Sequence, residues 1–203
     1  MSNTVLSTSD IEPAARLAAD TGSARPVFAA LQARRSHSKV TDEAPTRKEL
    51  AHILSAMNAV ADHSNLRPWR IIEMRGKGRS VLGKALAKAD GGSRAKVIAK
   101  AKRAPLVLAI VVSPRKSGKV PVWEQEAVAS GVAHYLELLL QEAGWGSFWR
   151  TGSLTRTKPV RKAMKLESHE HLLGWLYVGG IPPRDRKPKR RRPLDLSRHL
   201  TSL

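Results

Sequence analysis

The sequence predicts an α+β domain built on a central mixed β-sheet with helices on both faces. Three observations carry this. Helical and strand signals alternate irregularly along the chain, with four clear strands. Leu106–Val112 is a continuous apolar, β-branched run after Pro105, the pattern of a strand buried on both sides. A long helix opens at Pro121 and runs to about Ala143, where Gly144 closes it.

The other elements follow in order. Residues 1–25 are expected to be a flexible leader, with room for a short helix near Ile11–Ala19. Pro26 sits where a helix begins, and Val27, Phe28 and Leu31 give that helix an apolar face ending at Arg34-Arg35-Ser36. Thr46-Arg47-Lys48-Glu49 is a capping box; behind it Leu50, Ile53, Leu54, Met57 and Val60 recur at helical spacing, with a stop near Asp62. Trp69–Met74 reads as a strand. Ser80–Ala89 and Ser93–Arg103 read as basic helices split at Gly91-Gly92. Trp145–Arg150 and Leu172–Val178 are the last two strands, with a short helix from Pro159 to about Lys165 between them. Residues 26–180 are thus expected to form the domain, and residues 181–203 a basic, Pro-rich arm.

Composition narrows the function classes. With 203 residues the chain supports one domain with a real core. Having no cysteine, it can form no disulfide, thiol nucleophile, cysteine zinc site or iron–sulfur cluster. The first residues lack the apolar segment of an export signal, and no apolar run approaches a membrane span, so the expected place is the cytoplasm. The net charge is +19; the last 22 residues, with eight Lys/Arg and two Asp, supply +6 of it. Such a field attracts polyanions or phosphorylated small molecules, although a basic host proteome gives the same balance. The chain has no G-x-G-x-x-G, phosphate-loop or G-x-S-x-G motif. His169-Glu170-His171 lacks the one-turn histidine spacing of a zinc helix, and no metal is expected.

Four segments bear chemistry. Arg34-Arg35-Ser36 offers two guanidinium forks and a hydroxyl, a set able to grip a phosphate or simply to complement a helix C-terminus. Asp62-His63-Ser64-Asn65-Leu66-Arg67-Pro68-Trp69 is crowded with donors and acceptors, as recognition of a planar heteroaromatic requires; an ordinary capped loop reads the same way. Val120–Glu126, at the head of the long helix, and Gly144–Gly152 place small residues beside aromatics, so that a flat ring could lie close to the backbone. Lys187–Pro193 is a basic run.

Taken in order, these segments resemble the nitroreductase / flavin reductase family, and the likeness to its small minimal branch covers residues 27 to about 195. The resemblance implies a homodimeric fold with the long central helix at its interface and FMN as cofactor. It assigns Arg34, Arg35 and Ser36 to the FMN phosphate and ribityl chain, and His63 and Asn65 to the loop bordering the flavin. Trp149, Arg150, Thr151 and Gly152 would lie along the ring, and Lys189 and Arg191 would close on the phosphate. Arg67 stands where the family often has Gln, and Ser38, followed by Lys39, where it often has Arg or Lys. The implied reaction is ping-pong electron transfer from NAD(P)H to a nitroaromatic, quinone or similar small acceptor. Arg150 or Lys39 would neutralise the reduced ring, a backbone N–H near Thr151 or Gly152 would face its N5, and no catalytic side-chain acid or base is expected. Val128, Val132, Leu136, Leu139 and Leu140 make the long helix apolar on more than one face, as a dimer needs. Two alternatives are a flavin-storage protein of the same fold and a basic nucleic-acid-binding protein.

Overall fold

The computed structural model describes residues 26–91, 93–183 and 191–203. The chain divides into two compact units, one of residues 33–182 and one formed by the two ends of the chain. The terminal unit contains nearly all of helix α1 (Pro26–Ala33), with Val27, Phe28 and Leu31 exposed, and a single turn at Leu196–Arg198 capped by the Asp195 carboxylate.

The larger unit is built on strands β1 (Trp69–Met74), β2 (Leu106–Val112), β3 (Trp145–Arg150) and β4 (His171–Gly180), in the order β1-β2-β4-β3. The expected mixed sheet is antiparallel in all three strand pairings; the parallel element is one bridge, Ser36 to Ser147, at the β3 edge. β2 and β4 lie at the centre, and every residue of β2 is buried. Both edges of β2 find partners within the chain, so its apolar run satisfies its backbone while both its faces are shielded from water.

Alternation along the strands separates two cores. On one face Val107, Ala109, Val111, Leu172, Trp175 and Tyr177 pack against helices α3 (Gly76–Asp90), α4 (Arg94–Ala101) and α6 (Lys158–Ala163). On the other, Leu106, Leu108, Ile110, Leu176 and Val178 pack against α2 (Arg47–Ser55) and α5 (Val122–Glu142).

Local signals set the helix starts. The capping box opens α2: Glu49 N–H donates to Thr46 Oγ1 at 3.2 Å, and Thr46 N–H to Glu49 Oε2 at 2.6 Å. α2 ends at Ser55, earlier than its spacing suggests, because the chain tightens into a 3-10 turn at Ala56–Ala59 that still buries Met57. α3 starts at Gly76, four residues before the expected Ser80. Val128, Val132, Leu136 and Leu140 of α5 are buried within the protomer, so the face expected to seal a dimer is core; the free apolar surface of α5 is Val122, Trp123 and Tyr135. None of the described helices is long and apolar enough to cross a membrane.

Candidate functional site

Arg34-Arg35-Ser36 lies along the β3 edge. His37 N–H donates to Ser147 O at 2.7 Å, which together with the Ser36–Ser147 bridge fixes the segment beside the strand. Arg34 Nη1 donates to Ser36 Oγ at 3.3 Å and stands 3.8 Å from Glu137 Oε1. Ser147 Oγ donates to that same oxygen at 3.3 Å. Gln141 Oε1 accepts from Arg35 N–H at 2.8 Å. The last turns of α5 therefore hold the motif from behind. Glu137, buried to 4 % exposure, was hidden in the sequence as one acid among the leucines of that helix. It orients Arg34, and Ser36 and the Arg34 fork remain side by side at a partly open edge.

The Asp62–Trp69 loop is tightly wound. Asp62 takes Asn65 N–H on its carbonyl at 2.9 Å and Arg67 N–H on its carboxylate at 2.6 Å. Ser64, Asn65 and Arg67 have φ of 63°, 51° and 47°, a left-handed conformation that non-glycine residues adopt at a cost of about 1 kcal/mol or more each. His63 Nδ1 lies 2.8 Å from Glu124 Oε2 at the head of α5. Asn65, Arg67 and Trp69 line a cavity of about 230 Å³. Sequence reasoning missed the Glu124 partner because Glu124 and Gln125 belong to one motif but do different things. Gln125 is buried and staples the preceding loop, its amide bonding Arg115 N–H and the carbonyls of Arg115 and Val120. Trp123 is 68 % exposed.

The Trp149–Gly152 segment divides. Trp149 faces α5: it meets His134 edge-on, centroids 5.0 Å apart, and covers Gly174, where a Cβ would lie 2.5 Å from Trp149 Nε1 and 2.6 Å from Arg150 O. Trp149 Nε1 is buried without a hydrogen-bond partner. Arg150 faces α3 and α4, its guanidinium 6.0 Å from the Phe148 ring and 5.9 Å from that of Tyr177. Burial pushes the Tyr177 hydroxyl pKa up. Gly152, at φ 123°, turns the chain, and its carbonyl accepts from Thr155 N–H at 3.1 Å and from Thr155 Oγ1 at 2.7 Å. A Cβ at Gly152 would meet nothing within 4 Å, so the backbone there borders open space.

Within one chain the expected site residues form two groups. Ser36, Arg34, Trp149 and Gly152 follow the β3 edge, while His63 and Asn65 lie in the loop before β1, the strand at the opposite edge of the sheet. Lys189 lies outside the described residues. Arg191 belongs to the terminal unit.

Near the start of β4 a polar knot braces the sheet. Arg70 grips Glu170 with Nε at 2.7 Å and Nη2 at 2.6 Å, and Glu167 N–H adds a third bond. The Arg70 guanidinium, first among these, holds the Glu170 carboxyl at a pKa of about 2. Burial, aided by the Arg156 charge, lowers the pKa of His171 although Glu126 Oε1 is 3.1 Å away.

Comparison with known proteins bears on this geometry. The family model described as "Nitroreductase family" matches residues 31–180. The chain is 34% identical over 152 residues to the "Putative NAD(P)H nitroreductase YdjA" of Escherichia coli K12, covering 72% of this chain and 83% of that protein. A Haemophilus influenzae protein of similar description is 28% identical over 156 residues, 73% of this chain and 85% of its own. Among solved structures, a nitroreductase-like family protein from Bacillus cereus superposes with a TM-score of 0.72 at 21% identity, covering 84% of this chain and 93% of the other. An FMN-dependent nitroreductase from Clostridium difficile does so with a TM-score of 0.60 at 25% identity, covering 81% and 91%.

Proposed function

This chain belongs to the nitroreductase family, and from that premise we propose that it is an FMN-dependent oxidoreductase. It takes electrons from NAD(P)H and delivers them to a small acceptor such as a nitroaromatic or quinone. The observation that carries the reading is the β3 edge: a guanidinium and a hydroxyl at Arg34 and Ser36, anchored on Ser147, run in line with the ring of Trp149 and the uncovered backbone at Gly152.

The residues fit the cofactor. Arg34, Arg35 and Ser36 form a donor set suited to a phosphate that carries nearly two charges. Trp149 and the backbone of Arg150, Thr151 and Gly152 border the flat ring. Bound FMN would supply the hydride chemistry, accepting from the nicotinamide and passing electrons on. The protein binds the phosphate, orients the ring and keeps one face for both substrates, which enter in turn; hence ping-pong kinetics.

The reading includes a homodimer. His63 and Asn65 sit at the sheet edge opposite β3, so they serve a ring held on β3 of a second copy. Val122, Trp123 and Tyr135, exposed at 51 %, 68 % and 51 %, supply apolar surface on α5 for that contact.

The test is spectroscopic, then kinetic. Purified protein is expected to show the yellow flavin spectrum at one FMN per chain, and to oxidise NADH or NADPH when a quinone or nitroaromatic is added. A colourless protein that FMN cannot reconstitute refutes the reading. A yellow protein without turnover makes it a flavin-storage protein.

A further inference from the structure

The positive charge of the chain is concentrated. Residues 76–103, which hold α3, α4 and the turn after them, carry nine Lys/Arg against one acid, Asp90, so 28 residues supply +8 of the net +19. With +6 in the last 22 residues, the remaining 153 share only +5. A uniformly basic composition would not gather charge in this way. Packing turns it outward. Leu82, Gly83, Ala85 and Leu86 bury one face of α3, and α4 crosses it so closely that a Cβ at Gly83 would lie 3.2 Å from Ile98 Cα and 3.3 Å from Ala101 Cβ. Lys77, Lys84 and Lys88 recur at helical spacing on the opposite, exposed face. Arg94, Lys96, Lys102 and Arg103 are exposed on and after α4. Arg79 Nη1 donates to the carbonyls of Lys102 and Ala104 at 3.1 and 2.8 Å, which ties the turn after α4 to the start of α3.

Nothing on the hairpin offsets this field. Among the described residues no carboxylate forms an ion pair with any of its cations. Neither helix has an acid in its first turn or a side chain capping it; Lys77, Arg79, Arg94 and Lys96 stand there instead. Cations at the positive end of a helix dipole work against the helix, so stability does not account for the arrangement. Lys100 stands apart. With Arg150, Thr151 and Gly152 it lines a cavity of about 330 Å³ at the end of β3 that belongs to the flavin site.

The chemistry of the face selects among polyanions. Residues 76–103 contain no aromatic residue, and Val81 is their one exposed large apolar side chain. This disfavours a single strand, whose bases stack on aromatic rings. It disfavours a membrane surface, into which Trp, Phe or Leu would insert. It disfavours an acidic protein, because protein interfaces enrich aromatics and deplete lysine. The segment has no Asn or Gln to read adenine, and Ser93 is its only exposed neutral polar side chain, too little for the ribose hydroxyl contacts that mark RNA recognition. What remains is a lysine-faced helix of 15 residues, about 22 Å long, a body that the major groove of B-form DNA admits. We propose that the α3–α4 hairpin docks on double-stranded DNA through the phosphates, without regard to base sequence, as a function separate from the flavin chemistry.

Fluorescence anisotropy of a labelled mixed-sequence DNA duplex, titrated with the purified full-length protein, tests this. A Kd of about 1–10 micromolar in about 0.1 M salt is expected, with log K falling against log salt at a slope of about −4. The double variant Lys84→Glu/Lys88→Glu, on the outer face of α3, should weaken the duplex about tenfold or more and make the slope shallower by about two. Lys84→Gln/Lys88→Gln, which removes the charges without reversing them, should move the slope the same way, so the result does not hang on one variant's folding. Lys116→Glu/Lys119→Glu, the same charge change at exposed positions before α5, and Arg192→Glu/Arg198→Glu in the arm should each weaken the duplex less than about threefold. Flavin content and thermal unfolding should match wild type in the α3 variants. Absence of duplex binding at about 0.1 mM protein would overturn the proposal. So would equal losses from the three Glu pairs, which would show a general field, or tighter binding of the matching single strand, of the RNA duplex or of phosphatidylserine vesicles.

Discussion

Replacing Glu170 by glutamine removes one charge from the knot that joins β1 to β4. The magnitude follows from the carboxyl. Arg70 and the Glu167 N–H hold its pKa at about 2 instead of 4.5. At about 1.4 kcal/mol per pH unit that is about 3 kcal/mol in favour of the charged, folded form. The Glu170 side chain is 3 % exposed but that of Arg70 is 40 % exposed, so water screens part of the interaction and about 2–3 kcal/mol is the expected loss at pH 7. The sign with pH is set by the depressed pKa. Below about 4.5 the unfolded chain takes the proton first, so this contribution is complete above about pH 5 and fades as pH falls toward 2. Glutamine has no proton to take. Urea denaturation of wild type and Glu170→Gln, at one fixed protein concentration because the stability of the proposed dimer would depend on it, should show a gap of about 2–3 kcal/mol at pH 7 that narrows to about 1 kcal/mol at pH 3. A gap under about 0.5 kcal/mol at pH 7, or one equally wide at both pH values, would refute the assignment.

Other outcomes follow from single contacts. Gly174→Ala would put a methyl 2.5 Å from Trp149 Nε1 and 2.6 Å from Arg150 O, where backbone must move; thermal unfolding should show a loss of about 2–3 kcal/mol, with lower flavin content. His171 keeps a lowered pKa in the folded state, so its contribution is present above its ordinary 6.5 and declines as pH falls below it; His171→Asn should flatten the slope of stability between pH 7 and 5. Asp62→Ala frees Arg67 N–H from a 2.6 Å bond in the left-handed loop, and hydrogen exchange across residues 62–67 should quicken by about tenfold. Arg191→Ala should weaken FMN about tenfold to a hundredfold, whereas Arg192→Ala should change it by less than about threefold; equal losses of FMN affinity, or losses of DNA affinity alone, would assign the arm to a polyanion.

The four strands, the capped start of α2 and the long helix after Pro121 were all legible in the sequence, because each rests on a signal a few residues wide. A run such as Leu106–Val112 has only one way to hide both faces, and Thr46 with Glu49 close a ring three residues apart. The motif order that marks the family is likewise linear. Strand order is not. That β1, which follows His63, and β3, which runs beside Ser36, occupy opposite edges comes from pairings 25 to 43 residues apart along the chain, which no local pattern encodes. The α5 leucines show the same limit: their spacing declared an apolar helix, but only packing decided that they fill the protomer's own core and leave Trp123 and Tyr135 outside. Trp149 and Arg150 are the sharpest case. Their adjacency made them one motif in the sequence, and the two-residue period of a strand set their side chains on opposite faces. Which face meets α5 and which opens on the cavity was decided by the sheet around them, because burying Trp149 over Gly174 leaves the stacked Arg150 on the side of Tyr177.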